Sequence, residues 1–333
     1  MENMLILAKA AMAMMIGFIL SIITAIIIIP ILKSLKAGQK VSLHIGERHL
    51  KKDGTPTLGG FIFIIPTILT LLLLYFRGSI EISHNLIILV FVFLAYAALG
   101  FADDFLKLKF KNNKGISIGA KLLIQTFIAL VFFYIFMKNG GEPTLEITSL
   151  NIIVPMGWTF GLLILFLLVG TSNAVNITDG LDGLAGGLSL IAFLAFGLIS
   201  WNTGWMEGYQ EIAIFCFVLV GSIFGFLVFN SHPAKIFMGD TGSLALGAAL
   251  ATIAIITRHE LSLALVGGVF VIETLSSFIQ IIAITRFKKK VFKMAPLHHH
   301  FEQLGWAERD IVKLFWVVGL LLAMAAITYG VWI

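Results

Sequence analysis

Residues 85–107 read NLIILVFVFLAYAALGFADDFLK, an apolar run that ends in two adjacent aspartates and a lysine. A helix needs roughly 20 apolar residues to cross the hydrocarbon core of a bilayer, and this run is long enough. Strands of a membrane barrel would instead alternate in polarity over about ten residues. The run therefore predicts a transmembrane helix whose end places carboxylates at a membrane boundary.

Similar runs fill the rest of the 333-residue chain, which is 59% hydrophobic and 12% charged. Soluble domains carry roughly 25% charged residues, so this composition indicates an integral membrane protein. Ten spans are predicted, at residues 4–32, 58–76, 85–102, 118–137, 155–175, 183–200, 212–229, 241–257, 263–285 and 312–332. We expect residues 1–333 to form a single all-α polytopic membrane domain. Residues 138–154 contain two glycines and a loose alternation of apolar and polar residues, a pattern that predicts a small β-hairpin.

The distribution of basic residues predicts the orientation. Most of the 23 lysines and arginines fall in loops on one side of the membrane, and an excess of these residues marks the cytoplasmic side. Both termini are then outside. Every aspartate also falls on the cytoplasmic side, so we expect a site there that needs carboxylates. Anionic lipid headgroups explain the net charge of +5 better than nucleic acid does, because the basic residues lie in short loops between spans.

The third predicted span ends in Asp103 and Asp104, with Lys107 a few residues further on. If the helix continues, Lys107 lies within reach of both carboxylates. The pair indicates a site for cations or phosphates at the membrane surface. The alternative is an ordinary helix end with solvated charges and an intrahelical ion pair.

A polar, glycine-rich break separates the fifth and sixth spans and reads NAVNITDGLDGLAGG over residues 173–187. Glycine lets a ligand approach the main chain closely, and the amides that open the next helix could receive an anion. The candidate binding residues are Asn173, Asn176, Asp179 and Asp182. The alternative is a structural turn with capping carboxylates.

The loop after the seventh span begins at Asn230 and ends at Asp240, directly before the eighth span. Asp240 is a candidate metal ligand. It could instead only cap the following helix, because capping and metal binding need the same exposed carboxylate.

The last inner loop carries His298, His299 and His300 after a basic run. Three consecutive residues of a helix cannot face one point, so a zinc site made of them alone is geometrically poor. Imidazoles can donate hydrogen bonds to a diphosphate, and we expect that role. The alternative is an incidental polar loop.

Carboxylates from these scattered loops predict a magnesium site at the cytoplasmic face. Mg²⁺ prefers hard oxygen ligands, keeps several waters and bridges to substrate phosphates. The sequence contains no GxxxxGK[ST] loop, no HExxH motif and no cysteine-rich cluster, so NTPase and zinc-peptidase hypotheses lose their usual support. Phosphoryl transfer is the expected chemistry.

These motifs resemble those of the polyprenyl-phosphate N-acetylhexosamine-1-phosphate transferases, over essentially the whole chain. The family-level resemblance lies in segments 103–107, 173–187 and 237–243, while 54–60 (GTPTLGG) and 296–302 (PLHHHFE) resemble the muramoyl-pentapeptide branch. The resemblance implies a ten-helix homodimer of the bacterial inner membrane that uses Mg²⁺. Its substrates would be UDP-N-acetylmuramoyl-pentapeptide and undecaprenyl phosphate, and its products UMP and lipid I for peptidoglycan synthesis.

The resemblance also implies a role for each candidate residue. Asp240 would bind Mg²⁺, Asp103 and Asp104 would handle the polyprenyl phosphate, and His298 would join them in catalysis. Nucleotide-sugar binding would fall to Asn173, Asn176, Asp179, Asp182 and Asn230, and phosphate contacts to Lys52, Lys107, Lys121, His298, His299 and His300.

Several alternatives stay open. The lipid phosphate could attack directly, with Asp103 removing its proton, or the reaction could pass through a phosphorylated aspartate. A sister transferase using UDP-N-acetylglucosamine would share the aspartate motifs, but residues 296–302 argue against it. An ion-coupled transporter would place ionisable residues near the membrane midplane, and a non-enzymatic scaffold would not need the Asp and Asn clusters.

Glu273, near the middle of the ninth predicted span, is the exception to the boundary pattern. A carboxylate at that depth is costly unless it is paired or faces protein. We expect a structural hydrogen bond between helices, the alternatives being the lining of a lipid groove or a dimer contact.

Overall fold

The structure is a computed structural model that describes residues 2–35, 37–38, 52, 54–110, 115–147, 152–202 and 209–332. The α-helices are α1 (Glu2–Ser34), α2 (Phe61–Phe76), α3 (His84–Phe110), α4 (Ile118–Lys138), α5 (Phe160–Thr178), α6 (Leu184–Asn202), α7 (Tyr209–Asn230), α8 (Gly239–Ile256), α9 (Glu260–Val266), α10 (Gly268–Phe287), α11 (Leu297–Gln303) and α12 (Glu308–Trp332). Strands β1 (Thr144–Ile147) and β2 (Ile152–Pro155) and a 3₁₀ turn at Gly157–Thr159 complete the described elements.

Nine helices within the described ranges are long and apolar enough to cross a membrane. The predicted span 58–76 differs, because α2 has only 16 residues and rises about 24 Å. Its predicted start is not helical: Gly59 N and Gly60 N donate to Phe237 O (2.8 Å) and Met238 O (2.9 Å). The prediction of a polytopic helical protein is therefore confirmed, and nine of the ten spans correspond to full-length helices.

The ninth predicted span, 263–285, is not one continuous helix in the structure, because its first residues belong to the separate helix α9. α9 ends at Val266 and α10 begins at Gly268, with Gly267 between them at φ −89° and ψ 15°. Glycine weakens a helix by about 1 kcal/mol relative to alanine, and here two glycines adjoin at the break. The remaining stretch from Gly268 onward is still long enough to span.

Helices α7 and α8 form the centre of the fold. α1 and α6 pack on α7, while α3 and α5 pack on α8. From Thr241 to its end, α8 is buried throughout. Peripheral helices α1, α4 and α10 instead leave large apolar side chains exposed, where lipid chains would cover them.

Gly100 sets the contact between α3 and α8. A Cβ atom at this position would lie 2.1 Å from the main-chain oxygen of Asp240, so only glycine allows the two helices to approach this closely. α3 also continues through Phe110, beyond its predicted end at residue 102. Asp103, Asp104 and Lys107 therefore lie on a helix, beside the first turn of α8.

The hairpin predicted within residues 138–154 is confirmed. β1 and β2 pair antiparallel, from Thr144 opposite Pro155 to Ile147 opposite Ile152, and residues 148–151 lie outside the described ranges. Arg258, just after α8, holds the neighbouring segment through an ion pair of 2.5 Å with Glu142.

Candidate functional site

Two aspartates and two lysines from three helices share ion pairs at one end of the bundle. Asp240 Oδ2 lies 3.2 Å from Lys107 Nζ and 2.9 Å from Lys121 Nζ. Asp103 Oδ2 lies 2.6 Å from Lys107 Nζ, and its Oδ1 lies 3.4 Å from Lys121 Nζ. We call these four residues the aspartate–lysine cluster. Two negative and two positive charges balance within it.

Asp103 is almost completely buried, and its Oδ1 also accepts a hydrogen bond of 2.8 Å from Ile116 N. The contact ties the start of the segment before α4 to α3. The alternative of solvated charges at a helix end is therefore wrong for Asp103, although the intrahelical pair with Lys107 does form. The lysines remain reachable, with side-chain exposures of 29% for Lys107 and 19% for Lys121.

Asp104 has a different environment from its neighbour. Its Oδ1 accepts from Asp240 N (3.1 Å), and its Oδ2 accepts from Thr241 N (2.9 Å) and Thr241 Oγ1 (2.7 Å). The two main-chain donors, Asp240 N and Thr241 N, belong to the first turn of α8 and have no partner within the helix. Asp104 thus caps α8 from a neighbouring helix. Asp240 does not cap α8, since its carboxylate points to lysines and to Asn176.

The two asparagines of α5 have different partners. Asn176 Nδ2 donates to Asp240 Oδ1 (2.9 Å) and to Ser243 Oγ (2.8 Å), which attaches α5 to the aspartate–lysine cluster. Asn173 Nδ2 donates to Val169 O of its own helix at 2.8 Å. Asn176 therefore contacts the aspartate–lysine cluster and Asn173 bonds within its own helix, and a role of both in nucleotide-sugar binding stays a prediction.

Asp179 follows α5 at the C-cap position and is half-buried. Burial raises its pKa to about 7, and the negative charges of Asp240, Asp104 and Asp182 act in the same direction, against an opposing effect of Lys52. The turn that carries Asp179 therefore lies between the aspartate–lysine cluster and a second group of charges around Lys52.

That second group consists of Lys52, Asp182, His232 and Glu308, which we call the Lys52 cluster. Lys52 Nζ lies 2.7 Å from Asp182 Oδ1 and 2.6 Å from Glu308 Oε1. His232 Nδ1 lies 3.0 Å from Asp182 Oδ2 and 3.3 Å from Glu308 Oε2. Glu308 Oε1 also accepts from Asp182 N at 2.7 Å. Four segments distant in sequence meet here.

The Lys52 cluster also has the spacing of a possible metal site. Ligand atoms of Asp182, His232 and Glu308 lie within 4.8 Å of one another. The ammonium of Lys52 already contacts both carboxylates, so a positive charge fills the position that a metal would take. The predicted metal ligand, Asp240, belongs to the other cluster, whose carboxylates form an all-oxygen set.

Asn230 fastens two loops together. Its Nδ2 donates to Ile236 O (2.9 Å), and its Oδ1 accepts from Gly183 N (3.1 Å). The side chain is buried, and both ends of its amide are engaged with main chain. The structure therefore gives Asn230 a positioning contact with the glycine-rich loop, rather than an open face toward a ligand.

The three histidines turn to three different partners, as the objection to a zinc site predicts. His298 Nδ1 lies 2.9 Å from Glu273 Oε2, and His299 Nδ1 lies 2.6 Å from Glu302 Oε2. His300 Nδ1 accepts from Lys293 N at 3.1 Å. His298 and His299 are buried, whereas His300 is only partly so. The expectation of a hydrogen bond for Glu273 is confirmed, and its partner is His298.

Two residues of the Lys52 cluster were missed by sequence reasoning. Glu308 belongs to no motif singled out in the sequence, and His232 lies in the loop from Asn230 to Asp240 but was not chosen as a candidate. Both reach Asp182 only through tertiary folding. The available signal was their position on the predicted cytoplasmic side, close to the ends of spans. That signal is shared by many charged residues and does not select these two.

Comparison with known proteins places the chain in a family. The sequence model described as "Glycosyl transferase family 4" matches residues 86–258. A protein of Geobacillus sp. (strain WCH70) named phospho-N-acetylmuramoyl-pentapeptide-transferase is 47% identical over 322 residues, 97% of this chain and 98% of the relative. The protein of that name from Bacillus subtilis (strain 168) is 46% identical over 317 residues, 95% and 96% of the two chains. At this identity over nearly the whole length of both chains, the chain belongs to the phospho-N-acetylmuramoyl-pentapeptide-transferase family.

Proposed function

We propose that this chain transfers phospho-N-acetylmuramoyl-pentapeptide from UDP-N-acetylmuramoyl-pentapeptide to undecaprenyl phosphate, giving lipid I and UMP. The reaction takes place at the cytoplasmic face of a bacterial inner membrane, in a homodimer. The observation that carries the proposal is the aspartate–lysine cluster, in which two carboxylates and two ammonium groups meet where three helices approach. The names of the relatives supply the substrate class.

Charge repulsion is the main barrier to this reaction, because both the attacking lipid phosphate and the donor diphosphate are anions. Lys107 and Lys121 bring two positive charges to the site. Each ammonium has three donors, so each can keep a carboxylate contact and also donate to a phosphate oxygen. Preorganised positive charge of this kind stabilises negative charge that develops in a transition state.

Asp240 is the proposed ligand of Mg²⁺. The fit rests on the donor set: the aspartate–lysine cluster offers carboxylate oxygens and neither imidazole nor sulfur, as a hard cation prefers. Bound Mg²⁺ would stabilise the charge on the UMP leaving group. Because Lys107 and Lys121 already balance Asp103 and Asp240, we expect the dication to bind tightly only together with the anionic donor.

Asp103 is the proposed base for direct attack. A phosphate monoester has a second pKa of about 6, so part of the lipid phosphate carries a proton that must leave before attack. Ile116 N and the two lysines fix the orientation of the Asp103 carboxylate. Asp104 has its oxygens committed to Asp240 N and Thr241, and so supports the site by holding α8 in place.

The donor is proposed to lie along the turn that carries Asp179 and Asp182, between the two charge clusters. Asn176 attaches one end of this turn to Asp240, and Lys52 holds the other through Asp182. His298, buried beside the turn, contributes a ring nitrogen. The pyrophosphate would then face the aspartate–lysine cluster.

The test is UMP release by the purified protein with undecaprenyl phosphate and Mg²⁺, using UDP-N-acetylmuramoyl-pentapeptide or UDP-N-acetylglucosamine as donor. We expect release from the pentapeptide donor alone, its loss in Asp240→Asn, and its retention in Asp310→Asn. Asp310 is a matched control, since it is an exposed aspartate paired with Lys313 at 3.7 Å. Release from the acetylglucosamine donor alone would instead assign the protein to the sister activity.

A second measurement separates direct attack from a phosphorylated aspartate. Labelled UMP is incubated with donor and enzyme freed of all copurified lipid. Direct attack predicts no exchange of label into the donor without the lipid acceptor. Exchange under these conditions would require a covalent intermediate and would contradict direct attack.

A further inference from the structure

Glu273 is a fully buried carboxylate in the second turn of α10. It is 0% exposed, and so is His298, the residue that it contacts. Glu273 Oε2 lies 2.9 Å from His298 Nδ1, and Glu273 Oε1 accepts a hydrogen bond of 3.1 Å from His298 N. The carboxylate thus holds both the backbone and the ring of one residue at the start of α11.

The contact fixes which ring nitrogen of His298 carries a proton. An ionised carboxylate can only accept, so with Glu273 ionised Nδ1 of His298 is the donor. A histidine held in this way has one defined tautomer and one defined ring orientation. Nε2 is therefore the atom of His298 that is left for another partner.

The Nε2 atom of His298 is buried and has no hydrogen-bond partner among the described residues. It faces the turn after α5, where a Cβ atom on Gly180 would lie only 2.3 Å away. A buried polar atom without a hydrogen-bond partner destabilises the protein. In a native site such an atom calls for an explanation, and a ligand atom that is absent from the isolated chain is one.

We infer that Glu273 is a positioning residue, which orients His298 so that Nε2 contacts a phosphate oxygen of the nucleotide donor beside the Asp179–Gly180 turn. The inference rests on the proposed function for the identity of the donor. Only a glycine at position 180 leaves room for this nitrogen beside the turn, and Glu273 sets the orientation of the ring that carries it. Glu273 itself acts only through His298 and does not touch the substrate.

A double-mutant cycle tests this relationship. Glu273→Gln keeps the size of the side chain and removes its charge. We expect it to lower kcat/KM for the UDP-sugar by about 10- to 100-fold, with KM for undecaprenyl phosphate unchanged. In a His298→Gln background the same change should alter kcat/KM by less than about twofold, because the two residues act as a unit. An equal loss in both backgrounds would overturn the inference.

The matched control is Glu260→Gln. Glu260 is also a buried glutamate, but it lies on α9, away from the histidine loop. The Glu260→Gln substitution should leave kcat/KM within about twofold of the value for the original protein. A loss equal to that of Glu273→Gln would mean that removing any buried carboxylate has this effect, and would overturn the positioning role.

The affinity for UDP, measured by isothermal titration calorimetry with Mg²⁺, separates this inference from the proposed function. If the protein turns over neither UDP-sugar, the proposed function fails, but the cycle can still be read from UDP binding. The inference predicts weaker UDP binding in Glu273→Gln and no further weakening in the double variant. UDP affinity unchanged by Glu273→Gln would overturn it.

Discussion

Lys121 Nζ lies 2.9 Å from Asp240 Oδ2, although the two residues are 119 positions apart. The contact brings the first turns of α4 and α8 to one point, where Lys107 of α3 also reaches Asp240. Such a pair adds positive charge beside the proposed metal ligand. It is therefore the contact whose removal should affect catalysis more than folding.

Lys121→Met removes this charge and keeps much of the apolar stem. We expect kcat to fall by about 100-fold, the scale for losing one preorganised donor to developing charge. Lys138→Met is the control, because Lys138 lies exposed at the other end of the same helix. Steady-state UMP release measures both. Equal activity in the two variants would show that Lys121 does not act on the reacting phosphates.

Asp104→Ala should destabilise the protein, because it removes the acceptor for Asp240 N and Thr241 N at the start of α8. The loss of such a cap costs about 1–2 kcal/mol. Thermal unfolding in detergent should show a lower Tm than in Asp310→Ala, an exposed aspartate on the same predicted face. An unchanged Tm together with lost activity would instead favour a chemical role for Asp104, as the family resemblance implied.

Gly100→Ala should force α3 and α8 apart, since the added Cβ would lie 2.1 Å from Asp240 O. Overpacking of this kind costs about 1–3 kcal/mol, and the shift should also disturb the ion pairs of Asp240. Gly119→Ala is the matched control, because a Cβ there meets nothing within 4 Å. Tm and UMP release are compared for both. A Gly100→Ala protein with unchanged Tm would contradict the close approach.

Asp179 should make stability depend on pH. Its pKa is raised to about 7 in the folded chain, against about 3.9 when unfolded. A carboxyl with a raised pKa contributes stability that is fully present below about pH 4 and is lost as pH rises to about 7. Asp179→Asn cannot ionise and does not lose this stability. The difference obtained by subtracting the Tm of the original protein from the Tm of Asp179→Asn should therefore increase between pH 5 and pH 8. A constant difference would contradict the raised pKa.

Much of the fold could be predicted from hydrophobic runs, because a bilayer requires long helices with satisfied backbone groups. The failures have causes that lie outside the local sequence. α2 is short because Gly59 and Gly60 bond to the segment before α8, a partner far away in sequence. The break at Gly267 needed knowledge of tertiary packing, since two glycines within an apolar run are also compatible with one continuous helix.

The candidate site was predicted in part. Aspartates in motifs identified the carboxylates of the aspartate–lysine cluster, because several carboxylates at one membrane face indicate a site for a hard cation. It could not be predicted that Asp103 pairs with lysines while Asp104 caps α8. Adjacent residues on a helix point in different directions, and the sequence does not show what each one meets. Glu308 was missed because its partners Lys52 and Asp182 come from distant segments, and nothing in its own neighbourhood indicates them.

Formation of lipid I is the measurement that tests the central claim most directly. Purified protein is incubated with radiolabelled UDP-N-acetylmuramoyl-pentapeptide and undecaprenyl phosphate while Mg²⁺ is varied, and the lipid product is separated and counted. We expect a labelled lipid diphosphate that forms only with Mg²⁺, and that is absent in Asp240→Asn but present in Asp310→Asn. Labelled lipid formed equally well by Asp240→Asn would contradict the role of the aspartate–lysine cluster, and no labelled lipid from a folded, unmodified protein would contradict the proposed reaction.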